Sequence, residues 1–195
     1  NFKTALPILE NFEIPFTVYI TTNFISKQIT PWWYLLEKYI LSDNSISELV
    51  GYKISNDNLK NTSLDRLFLQ IRELILNDSP RAEFIKSSLQ NFFNENKNQF
   101  IRYFMNWEDV IKMSKSPFAT IGSHCINHEC LANLNNDQCF KEINKSREII
   151  FEKLGYFPKH IAYPYGGSKE AGIREYEYAK KSNYETGVST IPGIV

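Results

Sequence analysis

Two of the chain's three histidines, His124 and His128, sit three residues apart inside the stretch Phe118 to Leu134. That spacing lets both imidazoles reach one metal ion, either from one helical face or from a tight turn. The stretch opens with a β-branched and aromatic run, Phe118 to Ile121, of the kind that makes a buried strand, and Gly122 and Ser123 are expected to break it. The pair therefore falls just past the carboxyl end of a strand, where α/β folds of the barrel and open-sheet kinds place their active sites. The competing reading is a pair of ordinary loop histidines. A second segment some thirty-five residues on, Ala162-Tyr163-Pro164-Tyr165-Gly166-Gly167, decides between them. Cys125 and Cys130 lie beside the pair and could act as soft ligands, since Cys and His together suit zinc; small half-buried thiols in a loop are the plainer reading.

The elements that must hold these residues can be read in order. Phe2 to Phe12 carries apolar residues at helical spacing, with a regular helix expected from near Thr4 because Pro7 is tolerated only near a helix start. Phe16 to Ile20 reads as a buried strand. Thr21 to Thr30 is expected to be a polar loop. From about residue 31 to 100 the chain turns helical, with three segments around Trp32–Leu41, Leu64–Ile75 and Phe84–Phe93, separated by Asn- and Ser-rich joints at Ser42–Ser45 and Ser55–Thr62. Seventy residues without a strand pattern read as a helical insertion on an α/β body. Trp107 to Met113 is a short helix with Asn106 as cap and acidic residues in its first turn. After the histidines and a turn at Leu131–Asn136, a strong amphipathic helix is opened by an Asn136/Asp137 cap and closed by Gly155. A strand at His160–Tyr163, a helix capped by Ser168 and running to about Lys181, and a strand at Tyr184–Thr190 complete the chain. Strand and helix alternate, so the sheet is expected to be largely parallel.

Composition sets the outer limits. The 195 residues suffice for one sizeable core, and 43% hydrophobic residues exclude a disordered chain. Twenty-two basic residues balance twenty-two acidic ones, which gives no support to a general nucleic-acid binder. No segment approaches the roughly 18 uninterrupted apolar residues of a membrane span. Three cysteines without a CxxC pair argue against a disulfide framework. The chain opens at Asn1 directly into an amphipathic pattern, and is expected to continue a sequence that starts upstream.

Ser123-His124-Cys125-Ile126-Asn127-His128 followed by Ala162-Tyr163-Pro164-Tyr165-Gly166 resembles the paired motifs of the polysaccharide deacetylase, or NodB-homology, family. The likeness extends to Ala5–Leu9 with Ile14–Tyr19, to Trp107–Val110 with Ile121–His124, and to Leu131–Leu134 with Glu142–Gly155. It implies an α/β fold, an irregular parallel (β/α) barrel lacking its first strand here, forming one partial domain over 1–195 with the helical insertion at about 31–100. It also implies a metal-dependent hydrolase that removes N-acetyl groups from an amino-sugar polysaccharide or oligosaccharide. In the family a divalent metal, most often zinc, binds the acetamide oxygen and a water and lowers the water's pKa, while a carboxylate takes the proton. Carried over, His124 and His128 are metal ligands and the Tyr165 backbone N–H holds the oxyanion. Pro164, Tyr165 and Gly166 form a substrate wall whose close passage the glycines permit. Independently of the resemblance, Trp32 and Trp33 of the helical insertion are candidate sugar-stacking faces, with core packing expected for at least one of the two.

Five departures accompany the resemblance. The family's third ligand and catalytic base are adjacent aspartates that would precede Asn1. Cys125 replaces the Ser or Thr after the first histidine, and Glu129 the usual proline after the second. Ala162–Tyr163 stands where an arginine often precedes the Pro-Tyr motif. A late second catalytic histidine is not found before Val195, and His160 reads as structural. The 195 residues alone are therefore expected not to catalyse, because two histidines leave a metal under-coordinated and its water without a base. The alternatives are a non-catalytic glycan-binding member of the same fold, a metallohydrolase in which Cys125 or Cys130 supplies the missing ligand, and a structural α/β protein.

Overall fold

The computed structural model describes residues 2–42, 46–50, 63–77, 79–101 and 104–193. They divide into two compact units, one of residues 1–29 with 103–195 and one of residues 30–102. In chain order the elements are α1 (Ala5–Asn11), β1 (Phe16–Ile20), α2 (Thr22–Ile25), α3 (Trp32–Leu41), α4 (Ile46–Val50), α5 (Leu64–Asn77), α6 (Ser79–Ile101), α7 (Trp107–Met113), β2 (Ala119–Ser123), a 3₁₀ turn (Leu131–Asn133), α8 (Asn136–Leu154), β3 (His160–Ala162), α9 (Ile173–Lys181) and β4 (Thr186–Val188).

The first unit is built on a parallel sheet of order β1-β2-β3-β4. β1 and β2 run in register from Phe16 opposite Ala119 to Ile20 opposite Ser123. Here the strand outlasts its expected end: Gly122 and Ser123 belong to β2. Glycine is needed at 122 because a Cβ there would collide with the Tyr19 ring across the ladder. Ser123, fully buried, keeps its hydroxyl satisfied 2.7 Å from the Ser146 hydroxyl on α8. Helices pack the sheet through two apolar clusters. One gathers Leu6, Ile20, Ile25, Val110, Met113, Ile121 and Ile150; the other gathers Cys125, Leu131, Cys139, Ile143, Ile161, Tyr163, Ala171, Ala179 and Tyr184. Each large aliphatic side chain buried this way contributes about 1.5–3 kcal/mol.

Three boundaries move for local reasons. The loop expected at Thr21–Thr30 contains the single turn α2. The cap of α8 is Asn135, one residue earlier than expected, in a reciprocal box with Gln138, and Gly155 (φ 78°) closes the helix as expected. α9 begins at Ile173, not at Ser168, because Glu175 accepts from the Gly172 N–H at 2.8 Å and fixes the start there. The Asn106 cap of α7 holds, with Asp109 completing the box.

The second unit is helical among its described residues. Leu35, Leu36, Leu49, Ile71, Ile85 and Leu89 are buried, and Tyr39 meets Phe92 edge-on at 5.3 Å. α6 is interrupted at Asn96 (φ −116°), whose side-chain amide donates back to the Phe92 carbonyl at 2.9 Å. α4 begins at Ile46; of the joint expected at Ser42–Ser45 only Ser42 is among the described residues, and the joint at Ser55–Thr62 lies outside them.

Candidate functional site

The residues between β2 and the 3₁₀ turn form an irregular loop, so the two histidines come from a tight turn and not from a helical face. The His124 N–H donates to the Ile20 carbonyl at 2.8 Å, which carries the β1–β2 ladder one residue past the strand. The loop then turns through left-handed backbone at Cys125 (φ 63°) and His128 (φ 60°). Three groups from the end of β1 and from α2 hold its carbonyls. The Thr21 hydroxyl donates to His124 O at 3.1 Å, and the N–H groups of Thr22 and Asn23 donate to Cys125 O and Ile126 O at 3.2 and 3.0 Å.

This turn brings the two imidazoles face to edge, with ring centroids 4.7 Å apart and planes at 81°. The Tyr165 ring meets His128 edge-on at 4.8 Å, and Phe24 of α2 stacks over His128 at 6.0 Å and 22°. The Nδ1 of His124 lies 2.7 Å from the Ala162 carbonyl at the end of β3. A carbonyl can only accept, so Nδ1 carries the proton and the lone pair stands on Nε2. Burial pushes the His124 pKa below its ordinary value, partly opposed by that carbonyl. Burial, and then the neighbouring His124, push His128 down to about 3. Both rings are thus neutral at physiological pH, the state a metal requires of an imidazole.

The Pro164–Gly167 loop follows β3 directly. Tyr165 is left-handed (φ 63°), as is Gly166 (φ 66°). The Thr190 hydroxyl donates to Tyr165 O at 3.0 Å, and the Thr190 N–H to Gly166 O at 2.9 Å. A Cβ on Gly166 would press on that Thr190 backbone, which is why glycine stands there.

Of the residues singled out in the sequence, His124, His128, Tyr165, Pro164 and Gly166 lie together around this turn. Trp32 lies in the helical unit, stacked on Phe68 at 6.3 Å with Trp33 edge-on at 5.7 Å. Cys125 is fully buried in the core cluster beneath the sheet, and Cys130 is half-buried. His160 sits on β3 with Nδ1 2.7 Å from the Thr186 hydroxyl on β4, a cross-strand contact. Among the described residues no third His, Cys, Asp or Glu joins the pair to complete a metal-binding group.

Sequence reasoning missed Glu142, Asn23 and Phe24. Glu142 had a legible signal: it stands on the same face of α8 as Cys139, Ile143, Ser146 and Ile150, where a carboxylate is out of place. Phe24 and Asn23 had none, since nothing in their own segment announces a helix of one turn.

A family model described as polysaccharide deacetylase matches residues 77–185. The peptidoglycan-N-acetylglucosamine deacetylase of Bacillus cereus is 30% identical over 115 residues, 57% of this chain and 41% of that protein, so the chain spans well under half of its relative. The deacetylase domain of BpsB from Bordetella bronchiseptica superimposes with a TM-score of 0.55 at 13% identity, over 98% of this chain and 60% of that one. A de-N-acetylase from Aggregatibacter actinomycetemcomitans gives 0.52 at 15% identity, over 96% and 58%. The structural likenesses establish the α/β fold with its parallel sheet, the (β/α) barrel type of these deacetylases. With more than half of its length matched by the family model, and with this fold, the chain belongs to the polysaccharide deacetylase family.

Proposed function

We propose that the protein is a metal-dependent N-deacetylase of a glycan built from N-acetylated amino sugars, with His124 and His128 holding the cation. The observation that supports this best is the contact between Nδ1 of His124 and the Ala162 carbonyl. It ties the two motifs together and leaves Nε2 as the donor atom, the arrangement by which a backbone carbonyl orients a metal-bound imidazole. Two neutral imidazoles at one turn suit zinc, whose structural and catalytic sites take nitrogen ligands readily. A zinc ion there would supply Lewis acidity for the amide carbonyl and an activated water.

The chain's own residues do the rest. Phe24 and Tyr165 confine the His128 ring. In the proposed reaction the Tyr165 backbone N–H donates to the oxygen that becomes negative as the amide carbonyl is attacked. Pro164 restricts the approach to that N–H, and Gly166 lets the backbone pass close to Thr190. A substrate containing N-acetylglucosamine is supported by the likeness to the Bacillus cereus peptidoglycan-N-acetylglucosamine deacetylase. The 195 residues alone are proposed to be inactive, because two imidazoles leave the cation short of ligands and provide no carboxylate base.

The test is acetate release from N-acetylglucosamine oligomers by the full-length protein. Activity should vanish on chelation, return with Zn²⁺, and be absent in the His124→Ala and His128→Ala variants. Acetate release that survives both substitutions would falsify the assignment. The alternative reading is a glycan-binding member of the family without catalysis. It would show as oligosaccharide binding by the full-length protein with no acetate released.

A further inference from the structure

Glu142 projects from α8 into the interior and is only 6% exposed, a position that a carboxylate occupies at a cost unless donors surround it. Its donors all come from the histidine turn. Oε2 accepts from the backbone N–H of Ile126 at 3.0 Å and of Asn127 at 2.9 Å, and Oε1 accepts from the Asn127 side-chain amide at 2.6 Å. Asn127 in turn accepts, through Oδ1, from the side-chain amide of Asn23 at 2.6 Å. The segment joining the two imidazoles is therefore held from both sides. Its N–H groups are bound by a carboxylate on α8, and its carbonyls by Thr21, Thr22 and Asn23. It needs such restraint because both ends are left-handed, at Cys125 and His128, which costs about 1–2 kcal/mol per non-glycine residue.

We infer that Glu142 is a positioning residue for the histidine pair. Through Ile126, Asn127 and Asn23 its carboxylate fixes the turn in which the rings of His124 and His128 stand 4.7 Å apart, and the metal affinity of the pair depends on that restraint. The inference rests on the proposed role of the pair as metal ligands. Removing the carboxylate leaves the buried N–H of Ile126 and the half-buried N–H of Asn127 without their acceptor. The turn then relaxes toward ordinary backbone angles, and the His128 ring leaves its place between Phe24 and Tyr165. A residue that merely packed α8 against the sheet would affect stability and leave the two rings where they are.

The experiment compares the unaltered chain with Glu142→Ala, Glu142→Gln and Asn127→Ala. It measures Zn²⁺ affinity by competition with a chromogenic chelator, the ring C–H resonances of the three histidines in the metal-free protein, and the melting temperature. Glu142→Ala should weaken Zn²⁺ binding about 10–100-fold, the range for lost outer-shell partners of metal ligands. The signals of His124 and His128 should move and that of His160 should not. Glu142→Gln, which keeps an acceptor oxygen, should recover part of the affinity. If Glu142→Ala does not fold, Glu142→Gln and Asn127→Ala decide the matter by the same readouts. Unchanged affinity with unmoved signals overturns the inference, and so does a loss of affinity in which the His160 signal moves equally. If His124→Ala and His128→Ala bind Zn²⁺ as tightly as the unaltered chain, the metal reading fails instead. The metal-free His124 and His128 signals then judge Glu142 by themselves.

Discussion

The Nδ1 of His124 stands 2.7 Å from the carbonyl oxygen of Ala162, a residue thirty-eight positions away on the neighbouring strand. One hydrogen bond thus sets both the tautomer and the direction of the ring. In the metal-free protein, ¹⁵N spectra should show His124 protonated at Nδ1 and bare at Nε2, and added Zn²⁺ should shift Nε2 alone. A ring found protonated at Nε2 would point its lone pair at a carbonyl and rule out this arrangement.

Acid should destabilise the metal-free chain through the same pair. His128 has an ordinary value of 6.5 and is held at about 3 in the fold, by burial first and by His124 second. Between those values the unfolded chain binds the proton and the folded chain does not, so stability rises with pH across that window. It is full above about 6.5 and is lost as the pH falls toward 3, and His124 acts in the same direction. Denaturant midpoints measured with chelator from pH 7 to 4 should fall, with His128 contributing up to about 1.4 kcal/mol per pH unit. His128→Gln should flatten that slope; an unchanged slope would mean the ring already takes a proton in the folded state.

Gly122 leaves no room for a side chain of its own. Its place opposite Tyr19 in the register leaves the aromatic ring where a methyl group would go. Gly122→Ala should cost about 1–3 kcal/mol, the usual penalty of overpacking. Pairing it with Tyr19→Ala should recover much of the methyl's cost, a coupling that a double-mutant cycle would measure.

The thiols should separate by burial. Cys125 is fully buried and its pKa is pushed well up, by burial first and by Glu142 and Cys139 after it. Cys139 is pushed up to about 11, again chiefly by burial, with Arg174 opposing. The thiolate is the reactive form, and burial raises Cys130 too, but Cys130 is only half-buried, so a maleimide or iodoacetamide reagent at pH 8 should modify it in the native protein. It should reach Cys125 and Cys139 only after unfolding. Fast native labelling of Cys125 would contradict its place in the core.

Much of this architecture was legible where the signal is local. β1 runs from Phe16 to Ile20 as its β-branched and aromatic run requires, Asn106 caps α7, and Gly155 stops α8 in the left-handed conformation. The two histidines and the Pro164–Gly167 loop stood out by residue type and spacing. What escaped depends on partners distant in sequence. Gly122 and Ser123 look like strand breakers until Tyr19 and Ser146 are placed against them. The turn of α2 exists where its N–H groups meet carbonyls of residues 125 and 126. Glu142 could be placed on the inward face of α8 from its spacing, but its partners Ile126 and Asn127 could not.

The pairing of β1 with β2 also carries a consequence for how the chain tolerates change. Thr21 and His124, bonded to each other, are 103 residues apart in sequence, and the whole helical unit lies in the connection between them. The entropy of closing a flexible connection grows only logarithmically, about 0.6 kcal/mol for each doubling of its length. Lengthening a crossover of some thirty residues to a hundred therefore costs only about 1 kcal/mol. The segment between residues 30 and 102 is consequently the place where this chain could gain, lose or exchange material most cheaply while β1 and β2 still meet in the same register.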